Sequence, residues 1–379
     1  MAFFISDNII SPLGFTTADN FASLKNGGIG IDIIHDLAIY PEAFPAAMIK
    51  TDVLDEAFDQ FSAGNDYTRL EKMLLLSVSD ALDKTNIDIR SARTAIMLST
   101  TKGNIDLLAP GRQNTFEKDR VLLWKLGEVI SRHFGNPNQA IVVSNACISG
   151  VLALNTAAML IENGTYDHVI VTGGDIVSRF VVSGFMSFLS LSPKACKPFD
   201  KDRDGLSLGE AASTIILSKD AAGKNDIKHL GGASANDANH ISGPSRNGEG
   251  SFIAIKKAMD EADKLPDQID HISAHGTATP YNDEMESIAI DRHQMNDVPV
   301  NSLKGSFGHT LGAAGLVETA VLLEEMRKNT VLKTTGFSKL GVSRNIHVVD
   351  QTAERELRTC LKMASGFGGS NAAMIIQKA

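Results

Sequence analysis

In the run Val142-Val143-Ser144-Asn145-Ala146-Cys147-Ile148-Ser149-Gly150, a short apolar strand gives way to a cysteine at the point where a helix begins. The strand is read over Ala140 to Val143. The helix is read over Ser149 to Glu162, small and apolar in composition and closed by Asn163-Gly164. A strand, a tight turn and a helix in this order are the unit of an α/β fold built on buried sheets. The turn aims unpaired backbone N–H groups and the positive helix end at the sulfur, which favours thiolate and offers an N–H to an oxyanion. Taken alone, the segment equally describes a small cysteine packed in a strand–helix turn.

Outward from Cys147 the alternation continues. Phe3 to Ile5, Thr94 to Leu98 and His168 to Thr172 read as strands, and Thr17 to Lys25 and Tyr67 to Lys84 as helices. Later, Ser251 to Lys264, Asp283 to Gln294 and Gly312 to Lys328 have helical spacing. His271 to Ser273, Val298 to Asn301, Met363 to Ser365 and Ala372 to Gln377 are extended. Asn104 to Arg132 is less periodic and is expected to cross the surface or a subunit contact. An internal echo sets Asn155-Thr156-Ala157-Ala158-Met159-Leu160 against Glu318-Thr319-Ala320-Val321-Leu322-Leu323, each on a helix fed by a glycine-rich loop. With the repeated strand order it predicts two related halves, residues 1–224 and 225–379, joined near the polar connector Lys219 to Asp226.

A chain of 379 residues suits two such halves. A net charge of −9 argues against nucleic acid as the main partner, because phosphate binding needs a basic face. Cys147, Cys196 and Cys360 are few, odd in number and widely spaced, so they form neither a disulfide framework nor a metal motif. The N-terminal segment carries no signal-peptide pattern, and no apolar run approaches a membrane span. A cytoplasmic protein is expected.

Two further loops bear chemistry: Ser273-Ala274-His275-Gly276-Thr277-Ala278-Thr279-Pro280 and Ser306-Phe307-Gly308-His309-Thr310-Leu311-Gly312-Ala313-Ala314-Gly315. Each sets a histidine in a glycine-flanked loop after a strand and before a helix. Two imidazoles beside one sulfur suit a reaction that needs hydrogen-bond donors to a developing enolate. Lys304 and Glu318 flank His309; if both are buried, each requires the other, since an unpaired buried charge is very costly. Phe199-Asp200-Lys201-Asp202-Arg203-Asp204-Gly205 alternates acids like the start of a calcium loop but lacks the closing glutamate, so no metal site is assigned.

These residues resemble the β-ketoacyl-[acyl-carrier-protein] synthases, condensing enzymes with the thiolase fold. The resemblance runs through Ser11-Pro12-Leu13-Gly14, Ala146-Cys147, Pro198-Phe199-Asp200, Arg203-Asp204-Gly205 and Gly209-Glu210. It continues through His275-Gly276-Thr277, Lys304, Gly308-His309, Gly312-Ala313-Ala314-Gly315 and Gly366-Phe367-Gly368-Gly369-Ser370-Asn371. It implies two pseudo-symmetric α/β halves in a layered α-β-α-β-α core, and a catalytic set of Cys147, His275 and His309 supported by Lys304 and Glu318. It further implies an oxyanion hole from the N–H groups of Cys147 and Phe367, with the Phe367 ring gating the acyl pocket, and phosphopantetheine contacts from Thr277 and Thr279. The reaction implied is condensation of an acyl thioester with malonyl-acyl carrier protein to a 3-oxoacyl product. No resident cofactor or metal is needed, because the phosphopantetheine arrives on the carrier protein, and a homodimer or heterodimer is implied.

Three departures from the family pattern stand out: a shortened stretch between Asn104 and Arg132, alanine at Ala278, and Ile148 where small residues are common. A β-branched Ile148 is expected to narrow the acyl pocket. The competing readings are a non-catalytic partner of the chain-length-factor kind, which typically lacks the cysteine, and a thiolase or an initiating synthase. Thiolases place a second cysteine in the terminal glycine-rich loop, and here that loop has none. Whether the product belongs to general fatty-acid synthesis or to a specialised polyene or polyketide lipid stays open at this level.

Overall fold

The computed structural model describes residues 1–62, 66–111, 114–221, 223, 226–237 and 243–378. Its centre is a ten-stranded mixed sheet. The first five strands are β1 (Ala2–Ile10), β2 (Thr94–Ser99), β3 (Ile141–Val143), β4 (His168–Asp175) and β5 (Ala211–Ser218). The second five are β6 (Ile227–Asn236), β7 (His271–Ser273), β8 (Val300–Asn301), β9 (Thr359–Gly366) and β10 (Ser370–Lys378). Their order across the sheet is β8-β7-β9-β10-β6-β1-β5-β4-β2-β3.

That order contains one pattern used twice. From either outer edge inward, the strands of each half follow the sequence third, second, fourth, fifth, first. The directions repeat as well: β2 runs parallel to β3 and β4 as β7 does to β8 and β9, and β5 is antiparallel to its neighbours as β10 is. The two halves join where β1 meets β6, through Ala2–His229, Phe3–Lys228 and Phe4–Ile227. The boundary expected between residues 224 and 225 lies outside the described residues.

Helices make the other layers. Arg69–Asp83 and Leu123–Phe134 cover the outer face of the first half, and Glu249–Ala262 and Pro280–Arg292 cover that of the second. Between the halves lie Ser149–Glu162 and Ala314–Lys328, each touching strands of both halves and each other. The result is the α-β-α-β-α stack. The sequence echo marks these two central helices. A helix with sheet on both sides needs apolar residues all round rather than a stripe, and Ala314–Lys328 is buried along nearly its whole length. The pair crosses backbone to backbone: a Cβ added at Gly150 would sit 2.7 Å from the Leu316 nitrogen, and one at Gly315 would sit 2.6 Å from that of Val151.

Two expectations need correction. The stretch after Asn104 holds a regular helix, Leu123–Phe134, buried through Leu126, Val129 and Ile130 and stopped by left-handed Gly135. Its stripe is masked in the sequence by the exposed Leu122 and Trp124 beside it. β3 is not a buried strand: it is the outer edge of the sheet, and its three residues are half-buried. Among the described residues no helix is long and apolar enough to cross a membrane.

Candidate active site

Cys147 follows β3 and precedes the central helix Ser149–Glu162. The turn is forced: Ala146 is left-handed at φ 44°, a conformation that costs a non-glycine residue about 1–3 kcal/mol and persists at sites where the surrounding structure holds it. Ser149 Oγ ties the turn by accepting from the Asn145 N–H (2.8 Å) and donating to the Ala146 carbonyl (2.6 Å). The sulfur lies 3.0 Å from Nε2 of His309. Burial pushes the thiol up to about 11, against the pull of Lys304 and Lys102. The resting group is therefore a thiol. The helix end acts locally, whereas loss of solvent acts on the whole charge.

His309 is carried by a loop locked to the first half. Its N–H donates to Ser207 O (2.7 Å), and its carbonyl accepts from Gly209 N–H (3.0 Å). Only glycines fit this crossing: a Cβ at Gly308 would fall 2.2 Å from Leu208 O, and one at Gly209 would fall 2.0 Å from Phe307 O. Leu311 N–H donates to Nδ1 of His309 (3.3 Å), which leaves the proton on Nε2, facing the sulfur. His275 lies beside it, ring centroids 5.1 Å apart and nearly perpendicular. Lys304 Nζ is 3.1 Å from Nδ1 of His275; as an ammonium can only donate, His275 too presents Nε2–H. Burial first, then Lys304, holds both histidines well below their usual range, so both are neutral. The donor atoms of Cys147, His275 and His309 all lie within 4.8 Å of one another.

Beneath the histidines is a buried ionic layer. Lys304 donates to the His275 carbonyl (2.6 Å) and pairs with Glu318, and both side chains are inaccessible to solvent. The structure adds a residue that the sequence reading missed. Lys362, on β9, sits 2.7 Å from the other oxygen of Glu318 and donates to the carbonyls of Ser273 and Ala274 (3.2 Å each). Its signal was a lysine inside the apolar run Cys360-Leu361-Lys362-Met363-Ala364. Two acids of the helix Pro280–Arg292 grip the His275 loop from the other side. Glu286 accepts the N–H groups of His275 (2.7 Å) and Gly276 (2.6 Å), and burial pushes its carboxyl up to about 7. Asp283 accepts those of Phe199 (2.7 Å) and Thr277 (2.9 Å) and binds Ala278, itself left-handed at φ 63°.

The cysteine and both histidines open onto a cavity of about 470 Å³. Thr277 and Thr279 line it, their hydroxyls 2.9 Å apart. Phe367 lines it as well, stacked on Phe185 (centroids 5.6 Å) and edge-on to Phe188 (5.3 Å). Gly366 backs onto Cys147, since a Cβ there would come within 3.0 Å of its backbone nitrogen. Cys147, Gly366 and Phe367 all line the cavity. Ile148 is not among the residues lining this cavity: 1% exposed, just before the central helix, it packs into the main core between the two halves. Asp200 is occupied in tying chain segments, accepting from Ser338 and Lys339 N–H groups at 2.7 and 3.0 Å. Cys196 donates to the Lys304 carbonyl (3.2 Å), and Cys360 is sealed in the core, so neither reaches the cavity.

Comparison with known proteins agrees with this geometry. The model of the N-terminal domain of beta-ketoacyl synthase matches residues 9–222, and that of the C-terminal domain matches residues 228–338. A putative mitochondrial 3-oxoacyl-[acyl-carrier-protein] synthase from Schizosaccharomyces pombe is 28% identical, over 97% of each chain. The 3-oxoacyl-[acyl-carrier-protein] synthase 2 of Vibrio cholerae is also 28% identical, over 98% of this chain and 97% of its own. A chain from the complex of the ketosynthase ApeO with its chain length factor ApeC, from Xenorhabdus doucetiae, superposes with a TM-score of 0.87 at 26% identity. It covers 100% of this chain and 98% of that one. The two domain models include Cys147 and both histidine loops, and the chain belongs to the β-ketoacyl synthase family of condensing enzymes.

Proposed function

We propose that the protein joins an acyl thioester to malonyl-acyl carrier protein, releasing carbon dioxide and 3-oxoacyl-acyl carrier protein. The observation that carries this reading is the convergence of one thiol and two neutral Nε2–H imidazoles on the floor of one cavity. In the first half-reaction the Cys147 sulfur adds to the acyl thioester carbonyl. The amides of Cys147 and Phe367 receive the oxyanion, the carrier's C–S bond breaks, and the proton from Cys147 ends on the carrier's thiol. In the second, the malonyl C–CO2 bond breaks and its electrons form an enolate, whose oxygen accepts from the Nε2–H groups of His275 and His309. The enolate carbon attacks acyl-Cys147, a C–C bond forms, and the Cys147 sulfur leaves as thiolate and takes up a proton from water, restoring the thiol. Thr277 and Thr279 receive the phosphopantetheine arm, and Phe367, seated on Phe185, gates the cavity. A purely structural role like that of a chain length factor has no use for this set.

The carrier protein as partner follows the named activities of the relatives. A dimer is supported by the open edge of β3 and by the exposed Trp124 and Leu122 near it. Three free, buried cysteines support a reducing, cytoplasmic setting. The test is incubation with acyl and malonyl carrier proteins, following carbon dioxide and intact mass. The expected results are an acyl adduct on Cys147 and a 3-oxoacyl product; absence of both would sink the reading.

A further inference from the structure

Lys362 occupies the middle of β9, a strand whose residues are buried from Thr359 to Ser365. An ammonium in such a place is tolerated only with every proton satisfied. Here three oxygens surround the ammonium: it donates to Ser273 O and Ala274 O at 3.2 Å each and forms an ion pair with Glu318 Oε2 at 2.7 Å. Ser273 pairs with Lys362 in the parallel ladder between β7 and β9, so the cage is set by sheet register. The caged carbonyls belong to the two residues directly before His275. The opposite oxygen of Glu318 holds Lys304, which grips the His275 ring and carbonyl. One carboxylate thus carries two ammonium groups, and both brace the same loop.

Fold stability does not account for this arrangement, because an apolar side chain of similar volume in a buried site is commonly as stable or more so. Placement and field do. Lys304 alone would leave Glu318 neutralised; Lys362 adds a second ammonium to this layer, which Glu286 also faces, beneath the place where enolate charge develops. We propose that Lys362 is a positioning residue acting as a tethered monovalent cation: it fills an all-oxygen cage behind His275 and fixes Glu318 and the approach to the loop. The kinetic part of this inference rests on the function proposed above; the cage itself does not.

Shortening the side chain would leave a carboxylate and two carbonyl oxygens around a hole of ammonium size, a hard donor set suited to a small monovalent cation. The test uses the full chain with Lys362→Ala and Lys362→Met, in buffers containing ammonium, potassium or tetramethylammonium chloride at equal ionic strength. Ammonium and potassium should raise the melting temperature of Lys362→Ala relative to tetramethylammonium, which is too large for the cage. Wild type and Lys362→Met, whose cages are filled, should not respond. In tetramethylammonium, both variants should lose about 10²-fold in kcat for malonyl decarboxylation with little change in KM, and ammonium should restore part of it in Lys362→Ala alone. A folded Lys362→Met with wild-type kcat would overturn the inference, as would a folded Lys362→Ala whose melting and rate ignore ammonium and potassium. A wild type that releases no carbon dioxide defeats the proposed function instead, and the melting comparison still decides the cage.

Discussion

Nε2 of His309 lies 3.0 Å from Sγ of Cys147, although 162 positions of sequence separate them. The contact crosses the interface between the halves: the cysteine starts one central helix, and the histidine precedes the other. The Gly150–Gly315 crossing holds those helices at backbone distance, so the packing that builds the core also sets the catalytic spacing.

Cys147→Ala should abolish the acyl adduct and cut condensation by at least about 10⁴-fold, as loss of a nucleophile does. Decarboxylation of malonyl thioester should persist, because both Nε2–H donors remain. His309→Ala should lower decarboxylation as well, by about 10²–10³-fold, the usual loss for one donor to an oxyanion. Product and carbon dioxide assays on the same preparations separate the two effects.

The thiol of Cys147 is held up to about 11 by burial. Thiolate is thus a minor form at neutral pH, and iodoacetamide should react about tenfold faster for each pH unit through the range 7–9 without a plateau. A plateau below pH 9, read by intact mass against time, would contradict the buried-thiol description.

His229 pairs with Asn155 beneath the sheet, and burial lowers it to about 4 from 6.5. A depressed folded value means that its contribution is complete above the unfolded value and is lost as pH falls from 6.5 through 4. The shift corresponds to stability on the order of 3 kcal/mol. Urea midpoints at pH 7 and pH 4.5 should differ more in wild type than in His229→Gln.

Glu318→Ala would strand two buried ammonium groups, and should cost about 3–5 kcal/mol in denaturant unfolding together with most of the activity. By contrast, a mutation at the exposed Lys256–Asp260 pair should cost at most about 1 kcal/mol.

Gly150→Ala should destabilise by about 1–3 kcal/mol, because its Cβ meets main-chain atoms that cannot yield. Gly184→Ala is the matched control. Nothing lies within 4 Å of its added Cβ, and inside a helix the change should stabilise by about 1 kcal/mol. Melting temperatures of the two variants should move in opposite directions.

Local signals carried much of this protein into view. Thr17–Lys25 begins and ends where its spacing and caps place it, because those limits depend on near neighbours. The same holds for the three loops: a strand, a glycine-flanked Cys or His, and a helix are adjacent in sequence, so they were legible as sites. The echoed segments were legible as helices for the same reason. That Ala314–Lys328 is buried nearly all round was not, since that depends on the two halves of the sheet closing over it.

The sequence by itself determined the order of elements, the repetition of a half, and which residues could carry an acyl group and polarise an enolate. The tertiary structure alone decided their chemical state. Desolvation made Cys147 a thiol where its helix position suggested thiolate, and kept His275 and His309 neutral. Sheet register put Lys362 under Ser273 and Ala274, and Ile148 turned into the core instead of the cavity. Burial and charge pairing are sums over groups distant in the chain, and only the folded arrangement brings those groups together.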